Sequence, residues 1–444
     1  MFLRAFGQPL LVLNSQKRIN DLLDKRSLIY SGRPYSTMMI ELLDWGHMLG
    51  LMESSNPWWK RQRKFFHQTY TASVIPEYQP IIRRHIHRLL GDLLSTPGDQ
   101  YGHSALGGIL LNIAYGFDPK SKDDPYIAEA LKVTYAFQVA VLPGAFLVDH
   151  IPLLKYVPAW MPGARFKRWA EYYRKTTYNA QNRPFDFSMD GMRRNEVQSC
   201  ALTKVVESLP DPDDPTYAEV KDNLLSFLGV SYFAGVDSTN GLLSKFIMAM
   251  ATYPEIQEKA QAELDRVIGT DRLPDFGDRE DLIYLKALII ETMRWHQVLP
   301  LGLPQKLMED DYYDGYFIPK GTIVIGNAWA VLHDPNLFEN PMEFIPERYI
   351  KNGRFNNDLV NPLDFDFGFG RRVCPGKDLA MEILYLAISS LLSVFEISPP
   401  KDATGTPIKI KPSFIGGALA YVLNSPAIRS RTQASVKCDR TNRP

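Results

Sequence analysis

Apolar positions along this chain follow helical spacing far more often than strand alternation. Residues 379–395 form one apolar helical pattern without a break. Thr216-x-x-Glu219 has the form of a capping box. The helix it opens runs to about residue 252 and stops before Pro254. Some 36 residues at ~1.5 Å each give roughly 54 Å, enough to cross a large domain. A further helix is predicted over 281–296, one over 16–24 broken by Ser31-Gly-Arg-Pro34, and helices joined by loops over 104–190. Strand signals are few: an opening hairpin with 8–13 as its second strand, and a hairpin signal in 314–321. Residues 38–52 read as an apolar loop, 209–215 as a proline- and aspartate-rich linker, and the tail from about 430 as irregular. The pattern predicts a mainly α protein with a small β region and one long central helix.

Composition narrows the function classes. Formal charge balances to zero, which excludes the basic footprint of bulk nucleic-acid binding. The 32 prolines in 444 residues exceed the usual ~5% and imply a loop-rich surface. Length alone allows about three domains of ~150 residues or one continuous core. The uncharged runs 100–117, 133–148 and 412–428 fall short of the ~20 apolar residues of a spanning helix. Each is also interrupted, the first by His103 and Asn112. No signal peptide is visible before the strand-like Pro9-Leu-Leu-Val-Leu-Asn14. Cys200, Cys374 and Cys438 are too few and too far apart for a disulfide framework and suit a reducing compartment.

The chemistry concentrates in Phe367-Gly-Phe-Gly-Arg-Arg-Val-Cys-Pro-Gly376. A cysteine just before a helix is a place for a thiolate, because backbone N–H groups and the helix dipole stabilise negative charge there. Zinc and iron–sulfur sites need several Cys or His at short spacing, and none lies nearby. A single Cys among arginines and phenylalanines fits an iron already held in a macrocycle, since haem needs one strong axial donor. Gly368 and Gly370 permit a tight loop against a flat ligand, Phe367 can shield the sulfur, Arg372 can pair with a propionate, and Gly376 permits close helix packing. Pro375 is expected at the first helical position and has no N–H, so hydrogen bonds to sulfur must come from Gly376 onward. The plainer alternative is a glycine-rich bulge before a core helix, with Cys374 a small buried hydrophobe.

The spacing F-x-x-G-x-R-x-C-x-G resembles the haem-binding signature of the cytochrome P450 superfamily, and further motifs follow in that family's order. Tyr30 to Pro34 is similar to its Tyr-Ser-x-Arg-Pro. Trp59 and Arg63, spaced i,i+4, match its W-x-x-x-R, against the alternative of an exposed basic helix with snorkelling side chains. His67, His85 and His87 read as surface or solvated positions. Ala234-Gly-Val-Asp-Ser-Thr239 matches A-G-x-D-T-T, with serine at the commoner threonine position. The alternative there is a Ser/Thr pair bonding back to its own turn, with Asp237 on the surface. Glu291-Thr-Met-Arg294 and Pro346-Glu-Arg-Tyr349 match E-x-x-R and P-E-R-F.

By this resemblance, one domain spans residues 1–444 and binds haem b. Cys374 is the iron ligand, and Arg372, Phe367, Gly376, Trp59 and Arg63 are its surroundings. Gly235 leaves room for O₂, and Asp237, Ser238 and Thr239 supply the acid and hydroxyls of proton delivery. Glu291, Arg294 and Arg348 form a structural network. Residues 298–304 and Phe414-Ile-Gly-Gly-Ala418 line the substrate, and Gln305 stands where relatives place a His or Arg. Implied partners are an NADPH–cytochrome P450 reductase, docking near Arg61, Lys64, Arg371 and Lys377, O₂ and an apolar substrate. The local pattern, including Lys155-Tyr-Val-Pro-Ala-Trp-Met-Pro-Gly163, resembles fungal secondary-metabolite hydroxylases, and a terpenoid is the expected substrate ahead of an aromatic polyketide or indole. The competing readings are an isomerase or dehydratase of the same fold and a non-catalytic haem-binding remnant. Relatives lie on the cytoplasmic face of the endoplasmic reticulum through an anchor and hinge that this chain begins without. A truncated product, a misassigned start and a soluble form all fit that. Peripheral membrane contact is expected through residues 141–168, with a loop folded over its own core as the alternative.

Overall fold

A computed structural model describes residues 1–5, 7–96, 102–119, 124–402, 404–408, 410 and 427–431. The organising element is the helix Tyr217–Thr252, 36 residues long. Leu224, Phe227, Leu228, Val236, Phe246, Met248, Ala249 and Met250 are buried along it. Helices Pro57–Tyr70, Gly102–Tyr115, Pro125–Ala140, Arg165–Arg193, Ile283–Trp295 and Lys377–Val394 pack around it. A helix surrounded in this way is apolar on most faces because it has no solvent side to serve. Pro254 ends it: the preceding Tyr253 leaves helical geometry at φ −125°, ψ 72°, as the residue before a proline is driven to do.

The capping box expected at its start does not form. The Thr216 hydroxyl donates to Asp214 Oδ1 at 2.6 Å, and no side chain caps the helix. Glu219 instead accepts the Trp58 indole N–H at 2.5 Å, which ties the first turn to the 57–70 helix. Deeper in that interface Phe227 meets Phe66 edge-on at 4.8 Å and Phe65 at 5.4 Å between ring centroids. Such a ring contributes about 2–3 kcal/mol by burial alone.

The β region is small. Phe2–Ala5 and Gln8–Leu13 form the predicted hairpin, and Gln8–Leu13 then pairs in parallel with Ile323–Gly326, Leu10 opposite Ile323. Gln305–Lys306 completes the four-stranded sheet. Asp311–Tyr313 and Tyr316–Ile318 form a hairpin turning at Asp314 (φ 51°) and Gly315 (φ 80°), the left-handed pair that a two-residue turn demands. Phe395–Ser398 pairs with Ala427–Ser430.

Two more expectations need correction. His85 is buried, at 2% exposure, with Nε2 3.1 Å from Asp118. Its helix has a buried face that the neighbouring arginines obscured in the sequence. Pro375 is not in the following helix, which begins at Lys377 with Gly376 as its N-cap. The loop makes a turn first, so the cysteine precedes the helix by three residues.

Candidate active site

Gly368 (φ 79°) and Gly370 (φ 50°) bend the chain before Cys374 through left-handed backbone. At Gly370 a Cβ would stand 2.4 Å from Leu23 O, so only glycine fits between this loop and the N-terminal helices. The Cys374 N–H closes the loop on Phe367 O at 2.7 Å. The sulfur has an open surface, yet loss of bulk water pushes the thiol above its ordinary pKa. The Gly376 backbone N–H, then Arg63 and Lys377, oppose that rise. Among the described residues no group of three or more His, Cys, Asp or Glu could hold a bare metal ion. Cys374 is a solitary donor.

Arginines surround it. Arg63 Nη1 donates to Val373 O at 2.7 Å and lies 5.9 Å from the Trp59 ring. Arg372 turns back into the protein, donating to Ser31 O (2.8 Å), Leu49 O (3.3 Å) and Met52 O (2.6 Å), and stacks 5.1 Å over Trp59. Two of its five N–H groups remain. Arg33, in the Tyr-Ser-x-Arg-Pro stretch, donates to Gly50, Leu303 and Pro304 carbonyls. Burial, with Arg372 beside it, lowers Arg33 to about 9. Burial, with Arg63 beside it, lowers Arg372 to about 10. Three guanidiniums crowded in this way make a wall that favours an anion with more than one negative charge. Glu53 is the acid beside them, and it is also held by Lys306 at 2.6 Å.

On the central helix Ala234 is exposed and Gly235 and Ser238 are half-buried, although Val236, Asp237 and Thr239 beside them are buried. One face of an interior helix is thereby open over about one turn. Ser238 Oγ donates to Ala234 O at 2.7 Å, the back-bonded arrangement. Asp237 is not on the surface: it accepts from Gln138 Nε2 and lies 3.3 Å from His103 Nε2. A Cβ on Gly235 would reach Leu110 Cδ1 at 2.7 Å, so this glycine also lets the 102–115 helix approach. His103 and Gln138 were not singled out beside Asp237 from sequence, although His103 had marked itself as a polar break in an apolar run.

Glu291, Arg294 and Arg348 do meet: Arg294 Nε to Glu291 at 2.7 Å and Arg348 Nε to Glu291 at 3.2 Å. Gln305 is 4% exposed and its Oε1 has no partner. A carboxylate beside it must be met by its amide N–H₂. Phe414–Ala418 and Cys438 lie outside the described residues. Lys64 and Arg371 are exposed, Arg61 and Lys377 half-buried. In the 141–168 segment Leu153, Tyr156 and Trp160 are 74%, 73% and 78% exposed. No helix among the described residues is long and apolar enough to cross a membrane.

The residues fit a haem: one exposed sulfur donor, cations for two carboxylates and a helix with an open face. The chain matches the family model for Cytochrome P450 over residues 1–424. It is 40% identical over 443 residues to the cytochrome P450 monooxygenase COX2 of Coprinopsis cinerea, covering 99% of this chain and 84% of that one. It is 36% identical over 425 residues to the tryptamine 4-monooxygenase of Psilocybe cyanescens, covering 94% and 82%. Its fold is similar to that of a zebrafish cytochrome P450 solved with abiraterone, with a TM-score of 0.74 over 97% of this chain and 96% of that one at 24% identity.

Proposed function

The chain belongs to the cytochrome P450 family of monooxygenases, whose cofactor is haem b, and from that premise we propose that it hydroxylates an apolar secondary metabolite, a terpenoid ahead of an indole. The observation that carries this reading is Cys374, a lone exposed thiol supported by the Gly376 N–H and Arg63. Haem bound through this thiolate supplies the O₂-activating chemistry. The chain's own residues do the rest. Trp59, Arg63 and the two remaining N–H groups of Arg372 would hold the propionates. Phe367, with Lys377 5.9 Å from its ring, shields the sulfur. Asp237, buried against Gln138 and His103, is the acid of proton delivery, and Ser238, with Thr239 next to it, is the hydroxyl at the open face of the helix once it leaves Ala234 O. Leu299, Leu301 and Leu303 make the 298–304 segment apolar, which supports an apolar substrate. The name of the Psilocybe cyanescens relative supports the indole alternative.

An NADPH-dependent reductase, the redox partner that the family resemblance implies, would supply the electrons, docking on the face that holds the exposed Lys64 and Arg371. The exposed Leu153, Tyr156 and Trp160 with nearby Arg165 and Arg168 suit a membrane surface. The test is Cys374→Ala. It should abolish the strongly red-shifted Soret band of the ferrous–CO form, and a retained band would remove Cys374 from the role.

A further inference from the structure

The polar cluster beside the open turn of the central helix contains a histidine. His103 stands in the first turn of the 102–115 helix, with its side chain 30% exposed, whereas that of Asp237 is 5% exposed. The two carboxylate oxygens of Asp237 have different neighbours. Oδ2 accepts the Gln138 amide N–H, and Oδ1 lies 3.3 Å from His103 Nε2. The same ring nitrogen lies 2.9 Å from Asn240 Nδ2. Asn240 is buried about one turn beyond Asp237 on the central helix. A Cβ on Gly102 would stand 2.3 Å from Asn240 Oδ1, so a glycine just before the histidine is what leaves room for the Asn240 amide.

Asp237 and Asn240 ask opposite things of Nε2. A carboxylate oxygen accepts, so it pairs with a nitrogen that carries a proton. An amide N–H₂ donates, so it pairs with a bare one. A histidine held in one protonation state would need one of these partners, and here both are within reach. An amide exchanges no proton near neutrality, whereas an imidazole takes up and releases one there. We propose that His103 is the entry through which protons reach Asp237. The charged ring donates from Nε2 to Oδ1. On transfer the Nε2–H bond breaks and an Oδ1–H bond forms, leaving a neutral imidazole and a neutral carboxyl. Asn240 then donates to the bared Nε2, and solvent at the half-exposed ring restores its proton.

Gln138 serves both states as well, since Oδ2 accepts its N–H whether Oδ1 is charged or protonated. His103 acts through Asp237 and is a positioning residue for the proton. That role rests on the reading of Asp237 as the acid of proton delivery; the two contacts of Nε2 do not.

The experiment uses the haem-loaded full chain as native, His103→Gln, Asp237→Asn and the double variant. Glutamine can still hydrogen-bond to Asp237 but has no proton to transfer. The first readout needs no turnover. With histidine isotope-labelled at both ring nitrogens, the nitrogen NMR shifts of His103, identified by their loss in His103→Gln, are read in the diamagnetic ferrous–CO form. In Asp237→Asn the Nε2 signal should move toward that of a bare, accepting nitrogen, and an unmoved signal overturns the contact on which the proposal stands. The second readout is NADPH oxidation with a cytochrome P450 reductase in ordinary and heavy water, with farnesol as the terpenoid probe and tryptamine as the indole probe. His103→Gln should slow it roughly tenfold, less than the ~10²–10⁴-fold of a group that itself serves the reacting atoms, and should raise the solvent isotope effect. Because the two residues act in series, the double variant should be no slower than Asp237→Asn. A native rate and isotope effect in His103→Gln, with Asp237→Asn slowed, overturn the entry role and leave the acid in place. A double variant slowed by the product of the two single effects overturns the entry role too. A native rate and isotope effect in Asp237→Asn overturn the acid reading itself. If His103→Gln does not fold, His103→Asn takes its place under the same criteria.

Discussion

Arg294 is 0% exposed, and its guanidinium uses all five N–H groups. Nε and Nη2 donate to Glu291 at 2.7 and 2.8 Å. Nη1 donates to Leu332 O at 3.0 Å and Pro341 O at 2.7 Å, and Nη2 to Glu343 O at 2.8 Å. Glu291 also accepts the Ile345 N–H at 2.8 Å and Arg348 Nε at 3.2 Å. Arg294→Met leaves a buried carboxylate with one charged partner, a loss of about 3–5 kcal/mol. It also orphans three carbonyls at about 1–3 kcal/mol each before water relaxes them. Since a domain's whole stability is about 5–15 kcal/mol, this variant should not accumulate as folded protein. Arg294→Lys keeps the charge but has only three donors for five acceptors and lacks the planar fork, so it should fold with a loss of about 2–4 kcal/mol. Urea denaturation followed by tryptophan fluorescence, on Arg294→Lys and Glu291→Gln beside the native chain, measures this. An Arg294→Lys stability within about 0.5 kcal/mol of native would refute the donor count on which the argument rests.

Ser238→Ala should leave folding and haem binding intact and divert reducing equivalents into hydrogen peroxide. Because Thr239 sits next to it, the double Ser238→Ala/Thr239→Ala variant decides the case: full coupling of electrons to product there removes both hydroxyls from proton delivery. Asp237→Asn should slow turnover and change the solvent isotope effect, and an unchanged effect counts against the acid. Burial, with Lys245, His333 and Arg294 nearby, lowers His296 to about 3, and burial lowers His333 to about 4. Both stay neutral in the fold while the unfolded chain protonates them below ~6.5, so stability should fall as pH drops from there toward 4. His296→Gln/His333→Gln should flatten that acid limb relative to native, and an unaltered slope would exclude these two as its source. Charge reversal at Lys64 and Arg371 should slow first-electron transfer and weaken its salt dependence, and unchanged stopped-flow rates would move the docking face elsewhere.

What was legible from sequence was what local chemistry enforces. The cysteine loop could be read because Gly368 and Gly370 need left-handed backbone and the motif fixes their distance from Cys374. The central helix could be read because an apolar pattern of that length has an unambiguous stop at Pro254. What could not be read was decided by residues distant in sequence. Thr216 looked like a cap until Asp214 took its hydroxyl. His85 looked solvated because Asp118 lies 33 residues further along the chain. Arg372 keeps two N–H groups for a propionate, but its bonds to the carbonyls of Ser31, Leu49 and Met52 had no signal in the local sequence. Lys245 carried no local signal, since it is an ordinary residue until the fold buries it.

The Arg372–Ser31 hydrogen bond joins residues 341 positions apart, and Arg63 reaches Val373 across 310. At about 5–20 residues per second, the ribosome needs roughly 20 to 70 s to span the first gap. Through that interval the N-terminal hairpin lacks its parallel partner, and the carbonyls at 31, 49 and 52 lack the guanidinium that will gather them. Cys374 itself stands in the last sixth of the sequence. The wall of guanidiniums around the cysteine loop can therefore close only after the N-terminal elements it gathers have long been made.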